Sequence, residues 1–127
     1  MRDRTGAAGS AVATKTQVES KLREMIGRLD GAAADMHANL AKALPDRRVI
    51  QIDVPDLDAS YWTELAEGRM GELEEGEAAE VNIRMRAKSD DLVAMIDGEV
   101  GLMSSFMSGR VRVDASLSDL LALRKLA

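Results

Sequence analysis

Ser89-Asp-Asp-Leu-Val-Ala-Met-Ile-Asp-Gly98 and, a short way beyond it, Phe106-Met-Ser-Gly-Arg-Val-Arg-Val113 carry the change of rhythm that decides the fold. The first stretch opens with a hydroxyl and two carboxylates, the groups that suit the free N–H groups and positive end of a starting helix. Leu92, Val93, Met95, Ile96 and Val100 follow at helical spacing, with Gly98 near the end. A second, short apolar helix is expected from about Gly101 to Ser108, carrying Leu102, Met103, Phe106 and Met107, with Gly109 as its stop. After Gly109 the period falls from 3.6 to 2. Arg110-Val-Arg-Val-Asp114 therefore reads as a strand with Val111 and Val113 inward.

The pattern extends in both directions. Downstream, Ser116 caps a last helix bearing Leu117, Leu120, Leu121, Leu123 and Leu126, and Arg124 and Lys125 complement its negative end. Upstream, Val81, Ile83 and Met85 alternate with Asn82, Arg84 and Arg86, an amphipathic strand. Ile50, Ile52 and Val54 alternate with Gln51 and Asp53 up to Pro55. Tyr61 to Glu67 and Arg69 to Glu75 read as two further strands, joined in a hairpin around Gly68. Before the strands, Thr16-Gln-Val-Glu19 fits a capping box. Val18, Leu22, Met25, Ile26, Leu29, Ala33, Met36 and Leu40 then form one apolar stripe on a long helix closed by Pro45. Gly27 and Gly31 each cost about 1 kcal/mol relative to Ala, and a bend or break near Gly31 is expected. His37 falls off the stripe and reads as a solvated surface residue. The order is helix, four strands, two helices, strand, helix: an α+β fold with a five-stranded antiparallel or mixed sheet covered by helices on one face.

At 127 residues the chain has room for one core. We read residues 1–14 as a flexible tail and 15–127 as a single domain. Hydrophobic residues at 46% and charged residues at 31% give a globular balance. Tyr61, Trp62 and Phe106 are the only aromatics, against eight methionines, so any pocket is lined by aliphatic and thioether groups. A net charge of −5 with so few rings for base stacking excludes a nucleic-acid binder. No run is apolar for long enough to span a membrane. Met1-Arg-Asp-Arg4 and Ala11-Val-Ala13 imitate the ends of a secretory signal, but Gly6-Ala-Ala-Gly-Ser10 between them has no apolar centre. The expected location is the cytoplasm, and abundant Ala with Arg well above Lys suggests a bacterial source.

A search for catalytic or metal chemistry ends empty. There is no cysteine, and His37 is the sole imidazole, distant from any Ser–Asp pair. Asp53, Asp56 and Asp58 lack the register of a calcium loop and read as solvated turn carboxylates. Glu72, Glu74, Glu75, Glu77 and Glu80 read as a solvated acidic rim. Gly68-Arg-Met-Gly71 lacks the lysine and spacing of a phosphate loop. No catalytic residue, metal ligand or cofactor site is assigned. What remains is apolar excess: Met95, Leu102, Met103, Phe106, Met107, Leu117, Leu120 and Leu121 crowd three helices around one strand. They form either a packed core or the wall of a cavity. The shortness of the Leu102 to Met107 segment, apolar on more than one side, favours the cavity, as does the terminal position of the last helix.

Ser89 to Gly98 resembles the "D-L-x-x-[LM]-x-x-G" segment of the sterol carrier protein type 2 family, and Phe106 to Val113 resembles its "F-M-x-G-[KR]-[IVL]-[KR]-[IV]" segment. Leu117-Ser-Asp-Leu-Leu-Ala-Leu-Arg-Lys-Leu126 stands where that family has the helix closing its ligand tunnel. The likeness is strong from about Val81 to Leu126 and weaker over Val49 to Glu75. It implies a five-stranded sheet under helices, enclosing an apolar tunnel for fatty acids, acyl-CoAs, sterols, phospholipids or isoprenoid-like molecules. By matched position it implies Leu92, Met95, Ile96, Leu102, Met103, Phe106, Met107, Leu117, Leu120 and Leu121 as ligand-binding residues. The chain departs from the pattern at Ala115, where many members have Gly, and it lacks a terminal peroxisomal "S-K-L" address. The expected function is binding or carrying of a hydrophobic small molecule without a cofactor. The alternatives are an interaction module partnering an enzyme, or a small isomerase or cyclase using a carboxylate such as Glu64.

Overall fold

Thr14 starts the first helix. Its side chain accepts from the Gln17 N–H at 3.1 Å while Gln17 Oε1 accepts from the Thr14 N–H at 2.8 Å, a complete capping box two residues earlier than the expected Thr16–Glu19 one. Glu19 is engaged elsewhere: Tyr61 donates its phenol to Glu19 Oε2 at 2.9 Å. Burial, then this bond, push the Tyr61 phenol above its ordinary pKa, so it remains a donor. The computed structural model describes residues 13–32 and 34–126, the side chains of Leu102, Met103, Leu123, Lys125 and Leu126 excepted. Most of the expected tail, residues 1–12, lies outside the described residues. Its last two residues are held in place, for the Ala13 N–H also donates to Asp90 at 2.9 Å.

Helix α1 (Lys15–Asp30) buries Val18, Leu22 and Ile26 and ends at Gly31, whose N–H bonds to the Gly27 carbonyl at 3.0 Å. Helix α2 (Ala34–Ala43) follows with its phase reset. The stripe, expected to keep its phase as far as Met36 and Leu40, therefore fails at Met36, which is 54% exposed, and His37 turns inward instead. His37 is not a solvated residue. Its Nε2 lies 2.5 Å from the Leu29 carbonyl, an acceptor only, so the ring donates and caps the end of α1. Gly68, in the left-handed region at φ +79°, lies under the same residue, and a Cβ there would overlap the His37 carbonyl.

The strands are β1 (Arg48–Val54), β2 (Ala59–Ala66), β3 (Arg69–Met70), β4 (Glu74–Glu75), β5 (Ile83–Ala87) and β6 (Val111–Asp114), with a 3₁₀ turn at Pro55–Leu57. They lie in the order β3–β2–β1–β5–β6, and β4 pairs with the same strand β2 that β3 does. The expected strand Arg69–Glu75 is thus split into two short pieces on one edge, giving six strands instead of five. Among the described residues only β1 and β5 pair in parallel, Ile50 beside Ile83 and Ile52 beside Met85; the other pairings among them are antiparallel. The sheet is mixed, one of the two arrangements expected from the order of elements.

Strand alternation then sorts the two faces. Ile50, Ile52, Tyr61, Thr63, Leu65, Ile83 and Met85 face the helices, while Gln51, Asp53, Arg84 and Arg86 face away. Gln51 is nonetheless fully buried, because the return segment to β5 crosses over it: Ala78 N–H donates to its side-chain oxygen at 2.9 Å.

Helices α3 (Ser89–Ile96), α4 (Leu102–Met107) and α5 (Leu117–Leu126) complete the layer. Ser89 is the first residue inside α3 and does not cap it by itself. Asp56, from the 3₁₀ turn, accepts from the Ser89 N–H at 2.9 Å and from its hydroxyl at 2.6 Å. That amends the reading of Asp56: the residue is exposed at the turn, as expected, but its carboxylate is engaged by Ser89. Asp53 is corrected too: Gln51, Ser60 and Arg84 all donate to it, Arg84 at 2.6 Å. Ser116 caps α5 through the Asp119 N–H at 3.2 Å, as expected. Asp119 itself is buried and receives two bonds from Arg48, at 2.9 and 3.0 Å, tying the first turn of α5 to the start of β1.

Candidate functional site

A cavity of about 560 Å³ lies between the inner face of the sheet and the helices. Its floor follows from strand alternation: Ile50 and Ile52 of β1, Thr63 and Leu65 of β2, Ile83 and Met85 of β5, and Val113 of β6. Its roof follows from helical spacing, with Leu22, Met25 and Ile26 of α1 and Leu92, Met95 and Ile96 of α3 each presenting i, i+3, i+4 triplets. Leu40 and Leu44 close one side of it, and Met70 and Leu73 approach from the sheet edge. Phe106 of α4 and Leu120, Leu121 and Arg124 of α5 complete the wall. Three of these, Phe106 at 40%, Leu121 at 51% and Arg124, are exposed as well as lining, so the mouth opens between α4 and α5.

Of the ten residues expected at the site, Leu92, Met95, Ile96, Phe106, Leu120 and Leu121 come together on this cavity. Met107 and Leu117 do not. They are 77% and 74% exposed. Met107 follows Phe106 by one residue, a 100° turn that carries it off the inner side, and Leu117, the first residue of α5, shares a side with Leu120 and Leu121 but stands a turn before them, short of the cavity. The side chains of Leu102 and Met103 lie outside the described residues. The reading of the sequence missed the contribution of α1 and of the strand floor. Those positions carry the right inward parity, but parity alone marks them as core.

Polar groups on the lining are few. Among the described residues only Thr63 and Arg124 are not apolar. The Thr63 hydroxyl already donates to the Gly71 carbonyl at 3.0 Å. Glu64 sits on the opposite face of β2, paired with Arg47, whose hydrogen bond and charge hold its carboxyl below the usual range. Among the described residues no group of three His, Asp or Glu side chains is placed to hold a metal, and no helix is long and apolar enough to cross a membrane.

Residues 19–127 match the model of the SCP-2 sterol transfer family. The chain belongs to that family. No curated protein matches the chain. Among solved structures, the SCP-2 fold is shared with a UbiJ-SCP2 ubiquinone synthesis protein at a TM-score of 0.62 and 14% identity, over 88% of this chain and 94% of that one. It is shared also with sterol carrier protein 2 like 2 from Aedes aegypti, at 0.61 and 12% identity over 89% and 98% of the two chains. A third likeness is to the stereoselective inverting sec-alkylsulfatase Pisa1 from Pseudomonas sp., at 0.52 and 16% identity. It covers 68% of this chain but only 14% of the sulfatase, so the SCP-2 chain spans about a seventh of that enzyme's length. These likenesses bear on the fold.

Proposed function

We propose that this SCP-2 family chain holds a hydrophobic, lipid-like small molecule non-covalently in the cavity, without a metal or cofactor. One observation carries the reading: apolar side chains from all five helices and the sheet leave a space of about 560 Å³ where a packed core would stand. That volume falls within the ~300–1,000 Å³ of small-molecule sites. Met25, Met70, Met85 and Met95 on its wall give it adaptable thioether surface, suited to a flexible acyl, isoprenoid-like or sterol body. In this reading residues 15–127 form a single lipid-binding domain acting in the cytoplasm. The isomerase or cyclase alternative loses its acid–base group, since Glu64 faces away from the cavity. An enzyme partner that receives the bound lipid is a second reading, favoured by the likeness to a ubiquinone synthesis protein.

Native mass spectrometry of the freshly purified chain, paired with displacement of a neutral environment-sensitive dye by long-chain lipids, tests the proposal. Retained lipid mass or dye displacement supports it. A clean apo mass together with no displacement by any lipid would sink it and leave the interaction-module reading.

A further inference from the structure

The geometry points to Arg124 as the residue that selects an anionic head group, making the ligand an acidic amphiphile: an apolar chain ending in a carboxylate or phosphate. This rests on the cavity being a lipid site and goes one step further, to the chemistry of the ligand's end. Among the described residues, Arg124 is the only ionisable group on the lining, and the one other polar side chain, Thr63, has its hydroxyl committed to Gly71. Arg124 is also exposed, beside Phe106 and Leu121 at the mouth. A ligand tail lying along Ile50, Ile52 and Met85 therefore meets no polar partner until its end reaches this guanidinium.

The character of that partner decides what fits. A guanidinium offers a planar fork of donors that a carboxylate or phosphate takes by two bonds at once, with charge neutralised. An alcohol takes one weaker bond, and a hydrocarbon end offers the guanidinium no partner at all. The chain as a whole carries a net charge of −5 and repels anions at long range. Attraction of an acidic head must then come from local contact at the mouth. A cation in the last turn of α5 also complements that helix's negative end, a role that would be indifferent to the ligand's head group. The test separates the two.

The full chain, carrying diphenylhexatriene as a neutral probe, is titrated with hexadecanoate, hexadecyl phosphate and hexadecanol below their aggregation limits. The acidic ligands should displace the probe roughly twofold to fivefold more tightly than the alcohol, the range of a rim-exposed ion pair. The advantage should shrink in 0.5 M salt. Arg124→Glu should remove or reverse the preference for acid over alcohol, and Arg124→Lys should keep part of it. Carboxylate preferred over phosphate, or the reverse, names the head. Equal displacement by acid and alcohol, or an equal loss for all three in Arg124→Glu and Arg124→Gln, overturns this inference and leaves the cavity reading standing. No displacement by any of the three overturns both.

Discussion

Phe106 is both wall and rim, which sets what its removal does. A Phe packed on every side costs about 3–5 kcal/mol when cut to Ala, but this ring is already 40% exposed. Phe106→Ala should cost roughly 1–2 kcal/mol in chemical denaturation while weakening lipid binding several-fold in the displacement assay. The full core cost with affinity untouched would make Phe106 ordinary packing. Asp53, on the other face, is a matter of pH. Burial raises its pKa, but bonds from Gln51, Arg84 and Ser60 outweigh this and leave the folded value below the ordinary one. A depressed folded pKa adds stability above the unfolded value, near pH 4, and loses it as pH falls through the folded value. Asp53→Asn should therefore be less stable at pH 7 by about 1–3 kcal/mol, and the gap should close in acid. Denaturation at pH 7 and pH 3 checks it, and an unchanged gap would deny Asp53 that role.

At the scale of elements, strand parity was legible because period 2 is local: Ile50, Ile52, Ile83 and Met85 face the helices as their alternation demands. The break at Gly31 was legible too, but not the phase after it, since the dihedrals of a break decide where the next stripe points; hence Met36 went out and His37 in. Long-range bonds left no local trace. Nothing near Ser89 announces that Asp56, 33 residues away, takes its N–H, nor near Asp119 that Arg48, 71 away, holds it. That second pair makes α5 a helix fastened at its first turn, with its later leucines at the mouth. Asp119→Ala leaves Arg48 without its partner, at a cost on the order of 2–3 kcal/mol, less than a fully buried pair because Arg48 keeps some solvent contact. Hydrogen exchange should quicken in α5 and stay unchanged in β5, and bound lipid should slow exchange in α5 more than in β5. Equal protection of both elements would remove α5 as the cover of the cavity.

For the whole molecule, the sequence marked an apolar excess around α3, α4 and α5 without deciding between packed core and open space. The reason is geometric. Whether two apolar layers interdigitate or stand apart depends on the spacing between α1, α3 and the sheet, and spacing has no signature in a pattern of residue types. That spacing has a mechanical consequence. Unfolding collapses internal space, so the chain loses volume when it unfolds, in proportion to the void it had kept, and hydrostatic pressure drives that change. With about 560 Å³ under its helices, the empty chain should unfold at lower pressure and with a larger volume decrease than the same chain loaded with lipid. Emission from Trp62 on β2 can follow the transition in a pressure cell. Equal volume changes with and without lipid would mean that the ligand lies outside the cavity, whatever its affinity.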